Sequence, residues 1–349
     1  MNSEFENAKR MVLECVKTGT PILLKGGVGI GKTELVNEIG VELGKEVLAI
    51  HLGRYQGTDF VLPIVDEGKY KHLVSDKLRQ LTKGNMILFI DEYDRGSGDT
   101  RNAILSLLNE RIFEDIKIPD SVAIIGAVNQ ETSRDTNMLN QAEQTRFFTL
   151  DLDEITRGLD VESDYLRSWI QYAVNKETDS KIISFISAYP ELLNKPSEDE
   201  AKFPCPRGWI TLGKNMETYN VLTTKMSKAR FVKGFIGNEG AEKFTAFVEV
   251  YSKMPTAEEI LKGKYKPTTI NEQVASVDIV VQHLRKNTKD IKAGVKFFES
   301  LGGELFFVSI LRMKMDTKEG LPTQLLKVAE DNASVKKVLM KLASERLNF

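Results

Sequence analysis

One stretch constrains this 349-residue chain more than any other: residues 26–33, GGVGIGKT, satisfy the pattern G-x-x-x-x-G-K-[ST]. An apolar run, PILLKG from Pro21, precedes it, and ELVNEIGVEL, with helical spacing, follows it. That context predicts a strand, a tight loop and a helix in succession. Gly26, Gly27, Gly29 and Gly31, with Val28 and Ile30 between them, let the loop turn its backbone N–H groups inward, and the positive end of the next helix adds to the field. Such a cradle holds phosphates. Lys32 is then expected to reach the terminal phosphates and the Thr33 hydroxyl to ligate Mg2+, with Glu34 closing the binding segment.

The remainder of residues 1–152 fits a fold that presents such a loop. Five strand-like runs, PILLKG, EVLAIHL from Glu46, NMILFID from Asn85, SVAIIGAVN from Ser121 and RFFTLDL from Arg146, alternate with helix-like segments. Apolar runs spaced by helices predict a doubly wound parallel five-stranded sheet, an α/β architecture. In TRNAILSLLNERIFE, Ile104, Leu107, Leu108 and Ile112 recur at helical spacing, which predicts a crossover helix. After Asp153 the pattern is helical, through YLRSWIQYAV, KIISFISAYPELL and WITLGKNMETY. A proline- and acid-rich loop interrupts it over 195–206, and a second break, MPTAEEILKGKYKPTT, starts at Met254. The expected parts are a nucleotide-binding domain over 1–152, a helical lid over 153–253 and a helical C-terminal extension over 254–349.

The apolar strand MILFI delivers Asp91 and Glu92 to the carboxyl edge of the sheet, where ligands of such folds bind. Adjacent acids there take separate jobs. Asp91 is expected to hold magnesium through its water shell, and Glu92 to polarise the attacking water as general base. SVAIIGAVN brings Asn129 to the end of another buried strand, expected to neighbour that of Asp91, where a neutral amide can bond the attacking water or the γ-phosphate.

Composition excludes several classes. The net charge of −2 argues against a chain held to nucleic acid by overall attraction. Lys214, Lys225, Lys228, Arg230 and Lys233 are the best candidate for a local nucleic-acid patch, but their spacing also fits the solvated face of one or two helices, and that reading is favoured. Cys15 and Cys205 lie far apart, and His51, His72 and His283 do not cluster at ligand spacing, so no disulfide framework or intrinsic zinc site is indicated. With no long apolar run, the chain is expected in the cytoplasm, away from membranes.

The set GGVGIGKT, FIDEYDRGSGDTRNAILSLLNER, GAVN and MLNQAEQTRFF resembles the MoxR group of AAA+ ATPases, including the branch related to CbbQ and NorQ. Residues 55–78, YQGTDFVLPIVDEGKYKHLVSDKL, resemble that branch's insert after the second strand, and FPCPRGW resembles its sensor 2 motif. The resemblance implies an ATP hydrolase using Mg2+ and working as a ring, usually a hexamer, with each nucleotide between subunits. It makes Arg146 an arginine finger acting on the neighbour's nucleotide and Arg207 a lid residue contacting the γ-phosphate. It also implies a client or adaptor protein, often one with a von Willebrand factor A domain, whose maturation the ring drives. Three positions depart from the group's pattern: Gln130 follows Asn129 in place of proline, Asp94 stands where many relatives have asparagine, and Thr145 replaces an acid before Arg146. Arg95 and Arg111 are further candidates for intersubunit contacts. The alternative is a ring-shaped nucleic-acid motor or defence ATPase. A GTP-dependent switch lacks its guanine reader, since neither Asn175-Lys176-Glu177-Thr178 nor Asn194-Lys195-Pro196-Ser197 supplies N-K-x-D.

Overall fold

The apolar runs become strands that stack side by side in a computed structural model describing residues 4–114, 116–129, 139, 141–156, 163–197, 200–314 and 320–344. Gln130, Met138 and Asn140, from the motifs above, lie outside the described residues. In chain order the strands are β1 Ile22–Lys25, β2 Glu46–His51, β3 Val61–Asp66, β4 Lys69–Val74, β5 Met86–Asp91, β6 Ile112–Phe113, β7 Ile116–Lys117, β8 Ala123–Val128 and β9 Phe148–Asp151. Five of them, in the order β2-β5-β8-β1-β9, make one parallel sheet. Every residue of β8 is buried, as is β5 up to Ile90, because central parallel strands are covered on both faces.

Side chains alternate across the pleat and feed two cores. Leu23, Leu88, Ile90 and Ile124 face helix Gly98–Glu110 through Ile104, Leu107 and Leu108. Ile22, Leu24, Phe89 and Ile125 face helices Glu4–Thr18 and Lys32–Leu43 through Val12, Val36 and Ile39. The crossover helix ends earlier than its apolar spacing predicts. Arg111 adopts the left-handed conformation at φ 52°, and Ile112 opens β6 with 41% of its surface exposed. The Arg111 guanidinium turns back into its own chain and donates to the carbonyls of Gly19 (2.9 Å), Val122 (2.8 Å) and Pro119 (3.3 Å). Its work is to tie the end of the helix to the start of β8. The segment 55–78 contains an antiparallel hairpin, β3–β4, that exposes Leu62, Val65, Tyr70 and Leu73.

Contacts divide the chain into two compact units, one over Glu4–Arg157 and another that includes Gly158–Phe349. The first closes five residues beyond the expected boundary at 152, because helix Leu152–Thr156 packs its Leu152 into the sheet core. Among the described residues of the second, the regular elements are all helices, joined by turns and loops. One end centres on Phe185, Trp209, Phe244 and Phe247, packed ring against ring, with the Trp209 indole donating to the Leu192 carbonyl at 2.7 Å. Asp278, fully buried on helix Ile270–Lys286, accepts from Ser180 (3.0 Å), Tyr251 (2.8 Å) and Arg312. These partners lie on helices Ser180–Ala188, Lys225–Tyr251 and Gly303–Lys314. The boundary expected between 253 and 254 therefore falls inside one packed unit. Helix Lys225–Tyr251 is broken at Ile236 and Gly237, and the Glu200 carboxylate caps the restarted helix by accepting from the Asn238 backbone (2.9 Å) and side chain (2.7 Å).

Candidate active site

Three strand ends meet at the carboxyl edge of the sheet. β1 runs into the glycine loop and then into helix Lys32–Leu43, as the sequence predicts. Gly29 at φ 83° and Gly31 at φ 107° occupy backbone conformations open to glycine and costly for other residues. Lys32 is 8% exposed, and a charge so buried needs acceptors. It finds the carbonyls of Gly26 (2.6 Å) and Gly27 (2.9 Å) and the side-chain oxygen of Asn129 (2.9 Å). Lys32 and Asn129 are 97 residues apart in the chain but adjacent in space, because β8 pairs with β1 in register Lys25↔Val128. β8 also pairs with β5, so Asn129 directly follows the strand beside the one bearing Asp91, as expected.

At the end of β5, one Asp91 oxygen accepts from the Glu92 N–H at 2.9 Å, and the other lies 3.5 Å from His51 Nδ1, the residue opposite it on β2. Glu92 itself is left-handed, at φ 52°, and its carboxylate accepts from Arg95 at 3.1 Å. The next two residues turn inward. Tyr93 is fully buried, and burial, followed by the Glu143 carboxylate, pushes its hydroxyl far above the ordinary tyrosine range. Asp94 is 5% exposed, and neither carboxyl oxygen has a hydrogen bond of normal geometry. Burial raises its carboxyl above the usual carboxylate range, against the opposing pull of the Asp94 and Asn129 backbone N–H groups, Arg95 and Lys32.

Two further expected site residues, Arg146 and Arg207, lie on other elements. Arg146, just before β9, is partly exposed; its Nε donates to Asn109 Oδ1 at 2.7 Å and its Nη1 to the Ala142 carbonyl. Arg207 belongs to the second unit, exposed on the first turn of helix Pro206–Lys214. Sequence reasoning missed Asp153, whose carboxylate accepts from the Gly27 N–H at 3.0 Å and pins the glycine loop to the segment after β9. No motif marks Asp153; only its place directly after the fifth strand run hints at the loop.

Among the described residues no cluster of three or more His, Cys, Asp or Glu can hold a metal by itself. Thr33 and Asp91 nevertheless fit magnesium, which takes hard oxygen ligands and is commonly held by one or two protein groups together with substrate phosphates and water. The glycine loop, Lys32 and the helix N-terminus fit a polyphosphate.

Residues 21–147 match the family described as AAA domain (dynein-related subfamily). No curated protein matches the chain. Among solved structures, a mutant of RuvB from Thermotoga maritima is 18% identical with a TM-score of 0.42, over 78% of this chain and 81% of that one. NtrX from Brucella abortus, in complex with ADP, is 13% identical with a TM-score of 0.41, over 85% and 68%.

Proposed function

From the premise that residues 21–147 form an AAA domain on the AAA+ P-loop NTPase fold, we propose that the chain is a Mg2+-dependent ATP hydrolase that works as a homo-oligomeric ring, hexameric by its resemblance to MoxR proteins. The observation that carries this reading is the meeting of Lys32, Asn129, Asp91 and Glu92 at one sheet edge, with Lys32 bonded to Asn129 at 2.9 Å.

The chemistry follows from what those groups hold now and what they must release. Phosphate oxygens take over the Lys32 ammonium from the Gly26 and Gly27 carbonyls and Asn129, so the lysine exchanges neutral acceptors for anionic ones. The Asn129 amide, relieved of the lysine, bonds the attacking water or the γ-phosphate. Glu92 takes the proton of that water; its carboxylate is steadied by Arg95 at 3.1 Å until then. Thr33 and, through water, Asp91 would hold magnesium, which would supply charge neutralisation on the phosphates. Arg146 supplies a guanidinium to the nucleotide of the adjoining subunit and Arg207 reaches the γ-phosphate as sensor 2; both roles rest on the MoxR resemblance. By the same resemblance the ring remodels a client, with a von Willebrand factor A protein as adaptor and the cytoplasm as its setting.

Nucleotide binding and hydrolysis measured on two variants test the reading. Lys32→Ala should lose ATP binding, and Glu92→Gln should keep binding while hydrolysis stops. Full turnover by Glu92→Gln would remove Glu92 from the base role. Arg146→Ala should bind ATP normally and hydrolyse about a thousandfold more slowly. Mixing it with Lys32→Ala subunits should restore activity, because one interface then pairs an intact loop with an intact arginine.

A further inference from the structure

Arg146 is anchored at several points, all within the first unit. Its Nε donates to Asn109 Oδ1 at 2.7 Å, its Nη1 to the Ala142 carbonyl, and its backbone N–H to the Glu143 carbonyl at 3.1 Å. The short helix supplying two of those acceptors, Gln141–Gln144, is itself fixed. Glu143, 1% exposed, pairs with Arg101 at 3.2 Å. The following residue, Phe147, packs edge-on against the buried Tyr93 ring, with centroids 5.5 Å apart. Arg101 and Asn109 both belong to helix Gly98–Glu110, which therefore holds the segment before Arg146 at one point and the guanidinium at another.

An arginine side chain loses considerable rotamer freedom when it is held in one geometry. A guanidinium carries five N–H donors, and the two bonds made by Arg146 leave three for another acceptor. The Asn109 contact lies at the Nε side, so the end bearing Nη1 and Nη2 keeps donors for phosphate oxygens. Asn109 is exposed and on a helix surface, and its side chain has no role in closing the core.

We propose that Asn109 is a positioning residue for ATP hydrolysis, aiming the Arg146 guanidinium at the nucleotide of the adjoining subunit. The proposal rests on the finger role given to Arg146 above. In this role Asn109 acts through Arg146, not on the reacting atoms: it fixes the direction of Arg146 before subunits meet, so that the torsional freedom is already spent when the interface closes.

The test measures ATP affinity and hydrolysis by the full chain for Asn109→Ala, Asn109→Asp, Arg146→Ala and the Asn109→Ala/Arg146→Ala double variant. Asn109→Ala should bind ATP as the unmodified chain does and hydrolyse it about ten- to a hundredfold more slowly, the scale of a misplaced catalytic group. Asn109→Asp should recover most of the rate, because its carboxylate accepts the same Nε–H. The double variant should be no slower than Arg146→Ala. Addition of Lys32→Ala subunits, which carry Asn109 and Arg146 intact, should rescue Asn109→Ala, a result that loss of stability would not give. Normal hydrolysis by Asn109→Ala beside a slow Arg146→Ala overturns the positioning role alone, as does a double variant slower by the product of both factors. Normal hydrolysis by Arg146→Ala overturns the finger reading itself.

Discussion

Replacing Asp278 by alanine should strip the second unit of its one fully buried carboxylate among the described residues while leaving Arg312, 5% exposed, without its counter-charge. Burial alone would raise the Asp278 carboxyl, but the Arg312 charge and the hydrogen bonds from Arg312, Tyr251 and Ser180 hold it below the ordinary aspartate range. Removing one partner of such a pair costs about 3–5 kcal/mol, since the remaining charge stays desolvated. For a unit of this size that corresponds to a fall in Tm of roughly 6–20 °C. The control is Asp278→Leu combined with Arg312→Met, which removes both charges together and should recover most of the loss. Thermal and urea unfolding followed by circular dichroism read the two effects. The pH dependence has a fixed sign. A carboxyl depressed in the folded state contributes stability above its unfolded value, about 3.9, and that contribution fades as pH falls through the lower folded value. The gap between the unmodified chain and Asp278→Ala should therefore hold from pH 8 to about pH 5 and narrow only in stronger acid. A loss below about 1 kcal/mol, or a double variant whose cost equals the sum of Asp278→Leu and Arg312→Met, would refute the account of a coupled buried pair.

Gly237→Ala should lower stability by more than about 1 kcal/mol, because φ is 71° there and an added Cβ would lie 2.2 Å from the Lys202 carbonyl; an unchanged melting curve would contradict this. Arg111→Ala should cost about 2–3 kcal/mol of stability with ATP affinity unchanged, since three carbonyls lose their shared donor, and a calorimetric Tm with nucleotide titration checks both halves. Asp153→Ala should weaken nucleotide binding by loosening the Gly27 end of the loop, read by fluorescence titration of a nucleotide analogue; unchanged affinity would confine Asp153 to folding. ATP with magnesium should shift the chain toward larger assemblies in analytical ultracentrifugation, and a strictly monomeric species at micromolar protein would sink the ring.

The sheet was readable because its signals are local. Each strand is a short apolar run, and the loop from Gly26 to Lys32 carries its glycines at fixed offsets, so both strand positions and the loop follow from neighbours in the chain. The adjacency of Asn129 to Asp91 was also readable, since it depends only on strand order. Asp153 and Asn109 were not. Their partners, Gly27 and Arg146, lie 126 and 37 residues away, and nothing in the spacing of aspartates or asparagines reports a contact of that kind. Ile112 misled for the opposite reason: its spacing is helical, but the left-handed turn at Arg111 is held by carbonyls from elsewhere, which periodicity does not register. The bonds that Asp278 makes to helices on both sides of 253/254 were equally illegible, because a break in composition does not report them.

Glu92 holds a left-handed backbone, φ 52°, that glycine or asparagine would adopt at lower cost. Glutamate there therefore costs folding stability. Under the general-base role proposed for Glu92, a chain relieved of hydrolysis would fold more stably with glycine or asparagine at 92, so this one backbone position sets turnover against stability.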